Sequence, residues 1–216
     1  MRTRIKICCI ASIAEAKMAI RHGADALGLV AKMPSGPGPI TDELIETIAS
    51  VIPPPLASFL LTSEQTAARV ILHLQRTKTN TVQLVDELLD QDYDAIRAAL
   101  PQVKVVQVIH VTGEESIEEA LRLQEKVDAF LLDSGNPKAA VKTLGGTGNT
   151  HNWDISRELV RRVGVPVFLA GGLHAGNVKE AIEKVQPFGV DICSGVRTNG
   201  KLDEEKLRKF IAVVSL

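Results

Sequence analysis

The sequence predicts a single α/β domain over residues 1–216, a (β/α)8 TIM barrel whose eight-stranded parallel sheet closes on itself. Three observations lead there. Short, nearly continuous apolar runs recur at a regular beat, as strands covered on both faces require. Segments of helical periodicity lie between them, and that alternation implies parallel strands joined by right-handed crossovers. No Pro/Gly/Ser-rich linker divides the chain, and eight βα units in about 200–250 residues are what a closed barrel needs. An open doubly wound sheet would normally use fewer strands before splitting.

The units follow in order. The first run is IKICCI, residues 5–10. After it, Ser12-Ile-Ala-Glu15 has capping-box spacing and opens a helical pattern that stops at His22-Gly23. ADALGLVA, residues 24–31, is the second run, and MPSGPGPI, residues 33–40, reads as a long loop after it. Residues 41–52 keep Leu44, Ile45, Ile48 and Ile52 at helical spacing, then stop at three prolines. PLASFLL, residues 55–61, is the third run, and Thr62-Ser-Glu-Gln65 repeats the capping-box spacing. TVQLV, residues 81–85, is the fourth, with a helix expected over residues 90–100. KVVQVIHV, residues 104–111, is the fifth, followed by Thr112-Gly-Glu-Glu115 as a helix start. AFLLD, residues 129–133, is the sixth, and residues 135–152 form a second long loop. PVFLAGG, residues 166–172, and VDICSGV, residues 190–196, are the last two strands. Residues 203–213 close the chain as a helix with Leu207 and Phe210 on one face.

Composition excludes several classes. Hydrophobic residues are 45% and charged residues 24%, the balance of a soluble globular protein. A formal net charge of −1 offers no broad field to nucleic acid or an acidic membrane. No apolar run approaches the roughly 20 residues of a membrane helix. The opening MRTRIKICCIAS has too short an apolar run to read as a signal peptide. The three cysteines, Cys8, Cys9 and Cys193, are too few and odd in number for a disulfide framework, which points to a reducing cytoplasm. The five histidines are scattered and no Cys-x-x-Cys occurs, so no metal site is expected.

In such a barrel the chemistry sits where the strands end. Glycine-rich turns follow strands 6, 7 and 8: Gly145 to Gly148, Gly171-Gly172, and Ser194-Gly195. A single glycine pair is usually a plain turn. Three on neighbouring strands favour a cradle of backbone N–H groups for a phosphate. Strand parity turns Lys6 and Cys8 inward, away from Ile5 and Ile7, and puts Leu131 and Asp133 on one side. Asp191 would neighbour strand 1 on closure and is the expected partner of the inward Lys6. A buried cysteine is most often inert packing. For Cys8, its place at the strand end, the nearby positive Lys6 and an available carboxyl at Asp133 favour acid–base chemistry. Cys9 points the other way by parity and reads as core. Cys193 reads as lining, His174 as a solvated loop residue, and Trp153 as packing for a helix start.

Together these residues resemble the phosphoribosylanthranilate isomerase family, a (β/α)8 barrel of tryptophan and so of aromatic amino-acid biosynthesis, over nearly the whole chain. KICCI resembles its first-strand motif, with Cys8 at the general-base position and Cys9 where the family usually has glycine. GADALGLV resembles its second strand, and Asp133 in LLDS falls at the general-acid position. GGTG, AGGL-x-x-x-NV and VDICSGV resemble its phosphate-binding segments, which assigns Gly146, Thr147, Gly148, Gly171, Gly172, Ser194 and Gly195 to the phosphate. The resemblance implies an Amadori rearrangement without cofactor: Asp133 opens the ribose ring and Cys8 removes the proton from C2′. It also implies a sugar-phosphate substrate and a cytoplasmic monomer or homodimer, with no nucleic-acid or membrane partner. Three stretches depart from the family pattern. The family's Ser-Pro-Arg loop reads KMPSGPGPI, leaving Lys32 as its only cation and the tentative aglycone ligand. Its Gln-Leu-His-Gly reads Gln83-Leu84-Val85-Asp86, and its Phe-Asp-Trp reads His151-Asn152-Trp153. A paralogous isomerase acting on another ribosyl phosphate and a non-catalytic phosphate-binding barrel are therefore the alternative readings.

Overall fold

In the computed structural model, which describes residues 2–135 and 150–215, eight parallel strands close into one barrel in chain order. They are β1 Arg4–Ile7, β2 Ala26–Val30, β3 Ala57–Thr62, β4 Thr81–Leu84, β5 Lys104–His110, β6 Ala129–Asp133, β7 Val167–Leu169 and β8 Gly189–Ile192. The helices that cover them are α1 Ile13–His22, α2 Asp42–Ser50, α3 Ala67–Thr77, α4 Asp90–Ala99, α5 Glu115–Leu123, α6 Trp153–Arg162, α7 Val178–Val185 and α8 Glu204–Val214. The seam is the β1–β8 ladder, where Lys6 lies opposite Asp191 and Ile7 opposite Ile192.

Strand alternation sorts the side chains into two apolar layers. Ile5, Ile7, Leu27, Leu29, Leu60, Phe130 and Leu132 point outward and pack under the helices with Ala16, Ile45, Val70 and Phe210. Ala26, Val30, Phe59, Leu61, Val106, Val108, Leu131 and Phe168 point inward and fill the lumen. The Phe59 and Phe168 rings meet edge to face there, with centroids 5.9 Å apart.

Several element ends differ from the expected ones. The expected runs at strands 1, 7 and 8 extend past the strands themselves: residues 8–10 and Ala170 stay buried, whereas Gly171, Gly172 and Cys193 are half-buried and Ser194 is exposed. Thr62 is not a helix cap: it ends β3, and its hydroxyl accepts from Glu64 N, while α3 starts only after Thr66. Thr112 likewise bonds the Glu115 carboxylate instead of a backbone amide. After β8 a short 3-10 turn, Ser194–Val196, leads to a hairpin, β9 Arg197–Thr198 with β10 Lys201–Leu202. Its turn is Asn199-Gly200, both at positive φ, a hairpin signal present in the sequence.

Candidate active site

The floor of the site is built by the barrel seam. Lys6 is wholly buried and is neutralised by its register partner: Lys6 Nζ donates to Asp191 Oδ1 at 2.9 Å. Burial alone would push the Lys6 ammonium down, but Asp191 and then the Cys8 thiol outweigh it and hold its pKa above the ordinary lysine value. Burial in turn raises the Asp191 carboxyl; Lys6 opposes that rise and the nearby Asp133 adds to it.

Cys8 follows the last residue of β1, and its backbone N–H still bonds Ile192 O at 2.8 Å. Space for the thiol comes from Gly28 on β2, where a Cβ would come within 2.8 Å of Cys8 Sγ and 3.1 Å of Lys6 Nζ. Cys9 corrects the parity expectation. The strand has ended, Cys9 sits at φ 60°, and both thiols therefore join the lumen side rather than opposite faces. This turn is held by two residues that the sequence reading does not single out for it. Arg197 donates to the carbonyls of Cys8 and Cys9 and is clamped by the Glu15 carboxylate. Glu15 also accepts from Ala11 N at 3.0 Å and Leu202 N at 2.9 Å, so its place in a capping motif hides a tie between four segments.

Asp133 ends β6 opposite His110 of β5, half-buried, and its Oδ1 accepts from Ser134 N at 2.7 Å. His110 bonds Val85 O through Nε2, and its buried Nδ1 has no hydrogen-bond partner among the described residues. His151 lies within reach of the Asp133 charge: burial holds its imidazole below the ordinary value, and Asp133 opposes that effect. Its Nε2 pairs with Ser156 Oγ at 2.7 Å.

After β7, Gly171 and Gly172 both take positive φ, 82° and 62°, a path that side chains with a Cβ rarely follow. Asn177 fixes that turn, donating to Gly172 O at 3.0 Å and accepting from His174 N at 2.8 Å. His174 is exposed, and Trp153 opens α6 against the outer core.

These parts meet around one cleft. Cys8, Cys9, Asp133, Gly171, Gly172, Asp191, Cys193 and Ser194 all line it. Its remaining wall is largely apolar, from Val30, Met33, Leu61, Val85 and Val108. Gln83 also lines it, with its buried Oε1 unpartnered. Gly195 packs behind the lining against Leu173 O. Lys32 is exposed and does not reach the cleft, and no lysine or arginine is among its described lining residues. Gly146, Thr147 and Gly148 lie outside the described residues. Among the described residues no group of three His, Cys, Asp or Glu is placed to hold a metal, and no helix is long and apolar enough to cross a membrane.

The chain is similar to known proteins along almost its whole length. The profile of the family described as N-(5'phosphoribosyl)anthranilate (PRA) isomerase matches residues 5–213. A protein of Methanosarcina acetivorans named N-(5'-phosphoribosyl)anthranilate isomerase is 37% identical, over 99% of this chain and 94% of that one. The phosphoribosyl anthranilate isomerase structure from Thermotoga maritima is 28% identical, with a TM-score of 0.81 over 98% of each chain. A phosphoribosyl anthranilate isomerase in complex with reduced 1-(o-carboxyphenylamino)-1-deoxyribulose 5-phosphate superposes at a TM-score of 0.78, 26% identical over 98% of each chain. With this agreement in sequence, topology and extent, the chain belongs to the N-(5'-phosphoribosyl)anthranilate isomerase family.

Proposed function

We propose that the protein is a phosphoribosylanthranilate isomerase that works with Cys8 as general base and Asp133 as general acid. The observation that carries this reading is the shared cleft: a thiol, a carboxyl and the Gly171-Gly172 and Ser194 turns line one space. The phosphate of the substrate sits on the turns after β7 and β8. That leaves the ribose between Cys8 and Asp133, and the aromatic ring against Val30, Met33 and Val85. Asp133 gives its proton to the ring oxygen as the sugar opens to a Schiff base. Cys8 thiolate then takes the proton from C2′, and the enolamine tautomerises to the aminoketone. The positive Lys6 is buried beside Cys8. The substrate nitrogen accepts the developing charge, so the chemistry needs no added cofactor.

Purified protein given phosphoribosylanthranilate should abolish the substrate's fluorescence. Cys8→Ala and Asp133→Ala should each lower kcat by about 10²–10⁴-fold while circular dichroism stays unchanged. Wild-type turnover surviving in either folded variant would remove that residue from the mechanism.

A second reading rests on the missing cation. With Lys32 outside the cleft, the described lining offers no positive group to a carboxylate on the aglycone. A paralogue acting on another ribosyl phosphate would suit that wall. Failure to complement a tryptophan auxotroph, with phosphate-ligand binding retained, would favour it.

A further inference from the structure

Two thiols not used in this chemistry lie together in the lining of the cleft. Cys9 Sγ and Cys193 Sγ are 2.6 Å apart, and both cysteines are free. One sits just past β1 and the other just past β8, on either side of the barrel seam. The positive φ of Cys9 is what turns its side chain toward the β8 side. We propose that Cys9 and Cys193 form a reversible disulfide, a thiol-oxidation site on the cleft that takes a low-molecular-weight organic disulfide as its oxidant.

The two sulfurs are unequal in a way that suits stepwise exchange. Cys193 is partly exposed and Cys9 is buried. The contact with Cys9 lowers the Cys193 thiol; burial opposes that and the Arg197 guanidinium adds to it. The contact with Cys193, then Cys8 and burial, raises the Cys9 thiol. Cys193 thiolate therefore attacks one sulfur of the external disulfide and expels a thiolate, leaving a mixed disulfide. Cys9 then gives up its proton and attacks Cys193 Sγ, expelling the second thiolate. Two protein thiols are oxidised, one external disulfide is reduced to two thiols, and the released protons go to those leaving groups. A disulfide holds its sulfurs about 2.05 Å apart, so closing the bond needs side-chain movement of only about half an ångström. No third ligand is placed among the described residues to make the pair a metal site.

The bridge would act on the cleft through both residues. Cys9 Sγ also lies 3.6 Å from Pro37 O, in the loop that contributes Met33, Gly36 and Pro37 to the lining. Oxidation removes the thiol proton that faces Pro37 and pins Cys193 next to Ser194. Both walls of the cleft change together. On the isomerase reading, turnover falls while the bridge stands and returns on reduction.

The test uses the whole protein incubated with glutathione disulfide, then alkylated under denaturing conditions and mapped by peptide mass. Free thiols should fall from three to one in the wild type, with a linked Cys9–Cys193 peptide pair. Cys8→Ala should still form the link, and Cys9→Ser and Cys193→Ser should not. Glutathione adducts without an internal link, no link in Cys8→Ala, or a link that survives in Cys9→Ser would overturn the proposal. Turnover is read separately, each protein against its own reduced form. The bridged wild type should lose about tenfold or more and recover with dithiothreitol, because small displacements at the reacting groups cost that much. A bridge that leaves turnover unchanged would overturn the regulatory part. No turnover in the reduced wild type would count against the isomerase reading, while the thiol count still decides the bridge.

Discussion

Cys8 owes its setting to two neighbours that a point mutation can reach. The first is the Lys6–Asp191 pair. It joins β1 to β8 with Lys6 wholly buried and Asp191 largely so, and removing one partner strands the other. Lys6→Met should destabilise the fold by about 3–5 kcal/mol in urea titration. Lys6→Met combined with Asp191→Leu should recover much of that loss, because an apolar pair leaves no buried charge. A double variant as unstable as the single one would show that the pair is not the cause. The second neighbour is Gly28. A methyl group there would collide with Cys8 Sγ, so Gly28→Ala should cost about 1–3 kcal/mol from overpacking, and its kcat should fall. Unchanged kcat in that variant would mean that the thiol has more room than the geometry shows. Cys8, Lys6 and Asp191 are legible in the sequence because strand parity places them. Cys9 is not, because parity ends with the strand and a positive φ then decides where its thiol points.

Among the elements, the tie between α1 and the loops at the seam is the most exposed to test. Burial alone would raise the Glu15 carboxyl. The Leu202 N–H, the Arg197 guanidinium and the Ala11 N–H outweigh burial and hold it below the usual carboxylate range. A group whose folded pKa is depressed adds stability above its unfolded value, about 4.3, and that stability is lost as pH falls through the folded value. Glu15→Gln should therefore be less stable than wild type at neutral pH, with the difference shrinking below about pH 4. A difference that is constant across that range would show that ionisation plays no part. Kinetically the variant should lose kcat as well, since Arg197 is then free to leave the Cys8 and Cys9 carbonyls. The sequence marks Glu15 only as the fourth residue of a capping box. Ser12 does cap α1, accepting from Glu15 N at 3.1 Å, but the long-range use of the Glu15 carboxylate has no local signature. The same limit explains the false helix start at Thr62. Its hydroxyl serves the strand end, and α3 begins without a side-chain cap. Strand cores are legible because burial on both faces makes them continuous in apolar residues. Their ends are not, because apolar residues such as Ile10 and Ala170 stay buried past the strand ends.

At the level of the whole molecule, closure is what brings the parts of the site together. β1 and β8 are far apart in sequence, and their ladder alone sets Cys8 beside Asp191 and Cys193. Helix α8 covers that seam with Leu207 and Phe210, both fully buried. Deleting residues 203–216 would remove both and the burial they provide over the seam, at about 1.5–3 kcal/mol for each large side chain. The truncated chain should lose its cooperative thermal transition and bind a hydrophobic dye. A sharp transition retained without α8 would show that the barrel closes by its strands alone. The eight-unit beat makes this architecture readable before any coordinates. The cleft is less so, because it depends on which loop residues turn inward: Met33 and Pro37 do, and Lys32 does not.

The most direct test of the thiol–carboxyl assignment follows the hydrogen on the reacting carbon. Phosphoribosylanthranilate carrying deuterium at C2′ should slow wild-type turnover and should lose its label to water as product forms. Folded Cys8→Ala and Asp133→Ala should leave the label in place. Label lost from Cys8→Ala at the wild-type rate would contradict the account.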